Sequence, residues 1–247
     1  MTLLVGLVSA KGSPGVTTAA LALSAATGGV LVELDPSGGS VECWTGSAGE
    51  PALVAVASGL RRHVPPEDLV GHAHQIIPGV RGLLAPTSGP FAESTVAAVG
   101  DRLGSGFSHI EATMFVDGGR WAKSQPTARR LAGCAFVAVV CTPTVEGVEA
   151  ARWIVDPLRA IAPAVGVLAV GLQPYSVAEI GSAIDAPVLG ALSWDPRGLA
   201  VLLARGPSRA WMRCALARSA RAIATEIERF VQPSLMATDP PEVVPGA

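Results

Sequence analysis

At 247 residues the chain is long enough for one large domain or two small ones, and its 49% apolar content with a mean hydropathy of +0.44 can fill a sizeable core. A net charge of −2 excludes a global basic field for nucleic acid, and no apolar run approaches the roughly 18–20 uncharged residues of a membrane helix. The N-terminus is short and lacks the basic start of a secretory signal, so the chain reads as soluble and cytoplasmic. Cys43, Cys134, Cys141 and Cys214 form no C-x-x-C pair and read as free thiols.

In chain order, Leu3–Val8 is a continuous apolar run, as expected of a strand buried on both faces. A helix over Thr17–Ala26 follows and ends at Gly28-Gly29. Val30–Leu34 is a second strand, running into the carboxylate-rich loop ELDPSGGS. Leu53–Arg62 reads as a helix, Pro65-Pro66-Glu67-Asp68 opens a short one, Val80–Ala85 is a strand and Phe91–Leu103 a helix. Ala112–Val116 is a strand ending before Asp117-Gly118-Gly119-Arg120-Trp121. A helix near Thr127–Leu131 leads to the strand Ala135–Cys141, then to a long helix over Val145–Ile161. Val165–Gly171 is a strand, Val177–Ile184 a helix and Val188–Leu192 a final strand. Asp195-Pro196 opens a helix with proline at its first position, and Arg209–Val231 is one long last helix. The alternation argues for an α/β fold, a doubly wound, mostly parallel sheet with helices on both faces. No repeat or linker divides it, so residues 1–231 read as a single domain and 232–247 as a disordered, proline-rich acidic tail.

The chemistry concentrates in VGLVSAKGSPGVTT, Val5 to Thr18. It runs from a strand through a glycine loop into a helix, the layout in which loop amides and a helix N-terminus face phosphate. The motif G-x-x-x-x-G-K-[ST] would put lysine at position 16, where this chain has Val16, and glycine at position 10, where it has Ala10. Lys11, Gly12, Ser13, Pro14, Gly15, Thr17 and Thr18 remain. Lys11 and Lys123 are the only lysines, so one inside this loop stands out. A nucleoside triphosphate with Mg²⁺ needs a phosphate cradle, a hydroxyl on the metal and a carboxylate at a strand end. Gly12–Gly15, Thr17 and Asp117 supply these, and Asp35 at the end of the second strand is placed to orient a water.

KGSPGVTT, VLVELDPSGG and MFVDGG together resemble the phosphate loop, acidic switch and Walker B segments of the MinD/ParA group of deviant Walker A ATPases. The resemblance covers roughly Met1 to Val231, and the degenerate loop is most like actinobacterial MinD-like proteins and the CpaE/TadZ pilus-localisation ATPases. It implies a SIMIBI P-loop NTPase fold that binds ATP and Mg²⁺, with the nucleotide sandwiched in a homodimer. Lys11 falls on the signature lysine that reaches the partner's phosphates, Glu33 and Asp35 on the two switch acids, and Asp35 on the residue that aligns the attacking water. Thr17, Asp35 and Asp117 are the implied metal-site residues. Gln173 stands where the family often has a base-contacting asparagine. Trp194 stands near a proline turn over the base, and reads first as a core-edge residue, with base stacking as the alternative.

Val16 is the departure. A lysine there sets a cation against the phosphates, and a unit charge pair at ~4 Å is worth about 4 kcal/mol at an effective dielectric near 20. Its loss predicts weak or dimer-dependent nucleotide binding with slow or absent hydrolysis. The first functional reading is an ATP-binding switch that dimerises and positions a cargo through an adaptor, whether pilus or secretion machinery or a DNA partition complex. The second is a pseudo-ATPase scaffold that binds no nucleotide. The third is an active partitioning ATPase binding DNA non-specifically through Arg209, Arg213, Arg218 and Arg221 on the last helix. The tail SLMATDPPEVVPGA has no basic residue, which argues against a basic amphipathic membrane anchor. His63, His72, His74 and His109 show no metal spacing and read as surface residues.

Overall fold

The computed structural model describes residues 3–12, 14–46, 52–64, 71–87, 89–100, 102–103, 112–121 and 130–236. Eight strands form one sheet: β1 (Leu3–Ser9), β2 (Val30–Glu33), β3 (His74–Ile77), β4 (Val80–Leu83), β5 (Thr113–Arg120), β6 (Phe136–Cys141), β7 (Val165–Val170) and β8 (Val188–Leu192). Their order is β3-β4-β2-β5-β1-β6-β7-β8. Every pairing is parallel except the β3–β4 hairpin at one edge. The helices are α1 (Val16–Thr27), α2 (Val41–Thr45), α3 (Ala52–Arg61), α4 (Gly89–Gly100), α5 (Val145–Arg159), α6 (Val177–Ala183), α7 (Pro196–Arg205), α8 (Arg209–Met212) and α9 (Ala215–Met236). The doubly wound α/β reading therefore holds.

Strand alternation sorts the core into two layers. Leu4 and Val8 of β1 join Met114 and Val116 of β5 on one face, with Leu53, Val96 and Val148 from the helices. Val5, Leu7 and Phe115 lie on the other, with Ala20 of α1, Trp211 of α8 and Ile223 of α9. Central strands buried on both faces are apolar along most of their length, with polar residues such as Ser9, Glu33 and Asp117 kept to their C-terminal parts, which is why they read as apolar runs.

Four expectations change. β5 does not stop at Val116 but continues to Arg120, so Asp117 lies inside a strand rather than at its end. β3 was not expected; HQII is short, and Pro78-Gly79, with Gly79 at φ 75°, turns it into β4. The last helix is two. Ser208 Oγ accepts from the Trp211 amide to start α8, and Asp195 Oδ2 accepts from the Leu216 amide in the first turn of α9. The expected boundary at Val231 falls inside α9, which runs on to Met236. The predicted helix at 65–68, part of that at 127–131, His109 and residues 237–247 lie outside the described residues. No helix among the described residues is long and apolar enough to cross a membrane.

Candidate nucleotide site

The β1–α1 connection is held at its β1 end. Ser9 Oγ donates to the Lys11 carbonyl at 2.7 Å, and the Trp121 amide donates to the Ser9 carbonyl at 2.7 Å. Gly15 enters the helix with φ 96°, a left-handed conformation that a side chain would strain. No side chain caps α1 and no acidic residue sits in its first turn. The first helical bond runs from the Ala19 amide to the Gly15 carbonyl, so the amides of Val16, Thr17 and Thr18 have no intrahelical acceptor. They open, with the positive end of the helix dipole, onto a cleft of about 480 Å³.

The cleft is lined by Gly12, Pro14, Gly15, Val16, Thr17 and Thr18 from the loop and helix. Asp35, Ser37, Ser40 and Trp44 follow from the segment after β2, Gly119 and Arg120 from β5, with Trp194 at the rim. Beside it, Gly15, Thr18, Val170, Leu192, Trp194 and Pro196 border an apolar recess of about 130 Å³. A polar, amide-lined cleft next to a small apolar recess has the character of a nucleotide's phosphates and base.

Three carboxylates converge here in different states. Glu33 is 1% exposed, and its oxygens accept from the amides of Ser40 (2.9 Å), Val41 (3.0 Å) and Ala85 (3.1 Å). It therefore fastens the segment after β2 to the end of β4, a structural task, although burial still pushes its carboxyl upward. Asp35 accepts from the Ser37 amide at 2.8 Å and packs against Gly119, where a Cβ would come within 2.2 Å of its carboxyl carbon. Asp117 is 2% exposed and accepts from the Gly119 amide at 3.0 Å, with the Thr17 hydroxyl beside its carboxyl. Burial pushes its carboxyl from the ordinary 3.8 up to about 7, with Glu33 and Asp35 adding repulsion against the two stabilising bonds.

That repulsion tests the fit of a divalent cation. A cation between Thr17 and Asp117 would relieve it and favour the ionised acid. Among the described residues no group of three or more His, Cys, Asp or Glu side chains could hold a metal ion alone. Mg²⁺ does not require one, since it takes one or two protein oxygens with water and phosphate. The residues present fit Mg²⁺ carried in with phosphates.

Lys11 is on the other side of the loop. It borders a separate pocket of about 90 Å³ with Cys141, Thr142 and Gly147, and its Nζ lies 3.9 Å from Glu146 Oε2 of α5. Both partners are exposed, and such pairs hold a side chain only loosely. Val16 is 6% exposed and packs with the core, while Ser13 lies outside the described residues. Gln173 is exposed and borders neither the cleft nor the recess. Trp194, read first as a core-edge residue, is instead 75% exposed at the mouth of both.

The arginines are also redistributed. Arg209 opens α8 and Arg213 caps it, so they share no helix with Arg218 and Arg221. Arg218 donates to the Arg213 carbonyl, and Arg221 to the Met212 carbonyl at 3.1 Å. Two of the four therefore secure the α8–α9 junction. Among the thiols, burial pushes Cys134 up to about 12 and Cys141 up to about 11, while Cys43 is exposed. His74 lies half-buried in β3.

No protein-family model and no curated protein matches this chain in sequence; solved structures do match in shape. The septum site-determining protein MinD of Pyrococcus horikoshii, complexed with Mg-ADP, superposes with a TM-score of 0.72 at 17% identity, covering 93% of this chain and 97% of that one. The cell division ATPase MinD of Pyrococcus furiosus gives 0.73 at 17% identity over 93% and 100%. A ParA family ATPase of Chlorobium tepidum gives 0.73 at 14% identity over 90% and 98%. The chain has the fold of the MinD and ParA ATPases. Within that MinD/ParA fold, Trp44, Ser37, Ser40 and Arg120 line the cleft without having been singled out from the sequence. Trp44 and Arg120 carried no motif signal, and only the strand register brings Arg120 to the site.

Proposed function

We propose that the protein is a nucleotide-operated switch. It binds ATP with Mg²⁺ in the cleft, dimerises through the face that carries Lys11, and positions a cargo through an adaptor, with weak or absent hydrolysis. The observation that carries this reading is the cleft at the uncapped start of α1, lined by Gly12, Gly15, Thr17, Thr18 and Asp35, with Lys11 turned outward beside α5. Thr17 and Asp117 would hold the ion directly or through water, and Asp35 would stand over the attacking side of the phosphates. The bound Mg²⁺ supplies charge neutralisation there. Lys11 reaches outward, as a group serving a second copy's nucleotide must. Similar structures include a MinD with Mg-ADP, a MinC:MinD complex and a plasmid partition protein with AMPPNP, which supports a nucleotide-dependent positioning role.

Equilibrium dialysis with labelled ATP and Mg²⁺ tests the binding step. Retention that is lost when Thr17 is changed to Ala is the expected result; no retention by the wild-type chain at millimolar ATP overturns it.

The scaffold reading draws on one observation, that Val16 packs into the core where the motif has a lysine. It predicts no retention and a cargo interaction indifferent to nucleotide. The DNA-partitioning reading is weakened by the use of Arg218 and Arg221 at the α8–α9 junction.

A further inference from the structure

We infer that Arg120 is the in-cis cation for the bound nucleotide's phosphates, the charge that Val16 does not supply. The inference rests on the nucleotide-binding reading above and adds the residue that compensates for the altered loop.

The strand register carries the argument. Side chains alternate along a strand, so Phe115 and Asp117 face the α1 layer while Met114, Val116 and Gly118 face the opposite one. Continued without interruption, β5 would send Arg120 to that opposite layer. It does not, because the pairing with β1 shifts: Leu7 stands opposite Asp117, but Ser9, two residues on, stands opposite Arg120, three residues on. One extra residue has been inserted into β5. Gly119 at φ 62° absorbs it in the left-handed region. A bulge of this kind re-aims the side chains that follow it. Arg120 thus lands on the same face as Asp117, opposite Ser9, and lines the cleft with Gly12, Gly15 and Thr17.

The bulge depends on both glycines. A Cβ on Gly118 would come within 2.7 Å of Val8, and one on Gly119 would strike the Asp35 carboxylate. Only small residues allow β5 to bend here beneath the switch loop.

The guanidinium is also uncommitted. It makes no hydrogen bond or ion pair among the described residues, and its side chain is exposed to the cleft. The neighbouring Asp35 is engaged with the Ser37 amide. An arginine presents a planar fork of donors suited to phosphate oxygens, and it stays charged at any pH of interest. The loop's one lysine, Lys11, borders a different pocket, so Arg120 is the basic side chain lining this cleft.

Dialysis or calorimetry with Mg-ATP, Mg-ADP and adenosine, on wild type, Arg120→Ala, Arg120→Lys and the double variant Arg120→Ala with Val16→Lys, tests the assignment. Arg120→Ala is expected to weaken ATP by about ten- to a hundredfold, the range for losing one hydrogen bond to a charged group, and to leave adenosine unchanged. Arg120→Lys should retain part of the ATP affinity, and the double variant should recover it by restoring the motif lysine. Unaltered adenosine binding shows that the site is folded. If wild type binds ATP and Arg120→Ala binds it equally well, this inference fails while the switch reading stands. If wild type binds neither ATP nor adenosine, both fall together.

Discussion

Replacing Asp117 with Asn isolates the electrostatic tension of one buried carboxyl. Asp117 is buried beside Thr17 and close to Glu33 and Asp35, and its carboxyl is raised from 3.8 to about 7. An acid raised in the folded state holds its proton there while the unfolded chain has released it. Unfolding then releases a proton, so stability falls as pH rises between about 4 and 7. Carrying one carboxyl across that interval is worth about 4 kcal/mol at most. Asparagine keeps an oxygen for the Thr17 hydroxyl and the Gly119 amide but has no charge to bury. The assay is urea unfolding of both proteins without nucleotide, from pH 4.5 to 8. The stability difference, Asn variant minus wild type, should widen with pH and level off above about pH 7, because other groups cancel in the difference. A difference that stays flat, or that narrows as pH rises, refutes the buried-carboxylate account. Mg-ATP should shift the wild-type profile to lower pH, since a cation at Asp117 favours the ionised acid.

Three further outcomes follow from the site. Gly119→Ala should cost at least about 1 kcal/mol from the left-handed backbone alone, and more from displacing Asp35; thermal unfolding reads the loss, and an unchanged midpoint contradicts the packing of Asp35 on Gly119. Glu33→Gln should destabilise by about 1–3 kcal/mol, although it removes a buried charge, because an amide NH₂ then faces one of the amides the carboxylate satisfied; denaturant titration measures it, and a stabilised variant would show that charge repulsion dominates. Trp194→Ala should weaken adenosine and ATP alike, by about 1–3 kcal/mol if the indole stacks on the base. Dialysis against both ligands distinguishes this from a phosphate effect, and an unaffected adenosine affinity would remove Trp194 from the site.

The parts of the fold most legible in the sequence were those buried on both sides. Val5–Val8, Val137–Val140 and Val165–Val170 leave no room for polar residues, so apolar runs alone marked β1, β6 and β7. Where a segment is short or half-exposed, as in HQII of β3, that signal disappears. The apolar run ends at Val116, yet the strand passes on through Gly118-Gly119 as a bulge that only its partner's register reveals. The break between α8 and α9 carries no glycine or proline; it is set by Asp195, distant in sequence, bonding the Leu216 amide. Likewise the β1–α1 glycine loop, Asp35 and Asp117 could be singled out as candidates from their spacing. The division of labour among the acids could not be, because backbone amides from two separate segments, Ser40-Val41 and Ala85, decide that Glu33 holds the loop.

The central claim is a switch in which one copy's Lys11 serves the other's nucleotide. Sedimentation velocity of wild type and Lys11→Ala, each with and without Mg-ATP, tests it most directly. The account requires wild type to shift from monomer toward dimer with Mg-ATP, and Lys11→Ala to remain monomeric at ATP concentrations it still binds. Identical sedimentation of the two proteins under both conditions would contradict it.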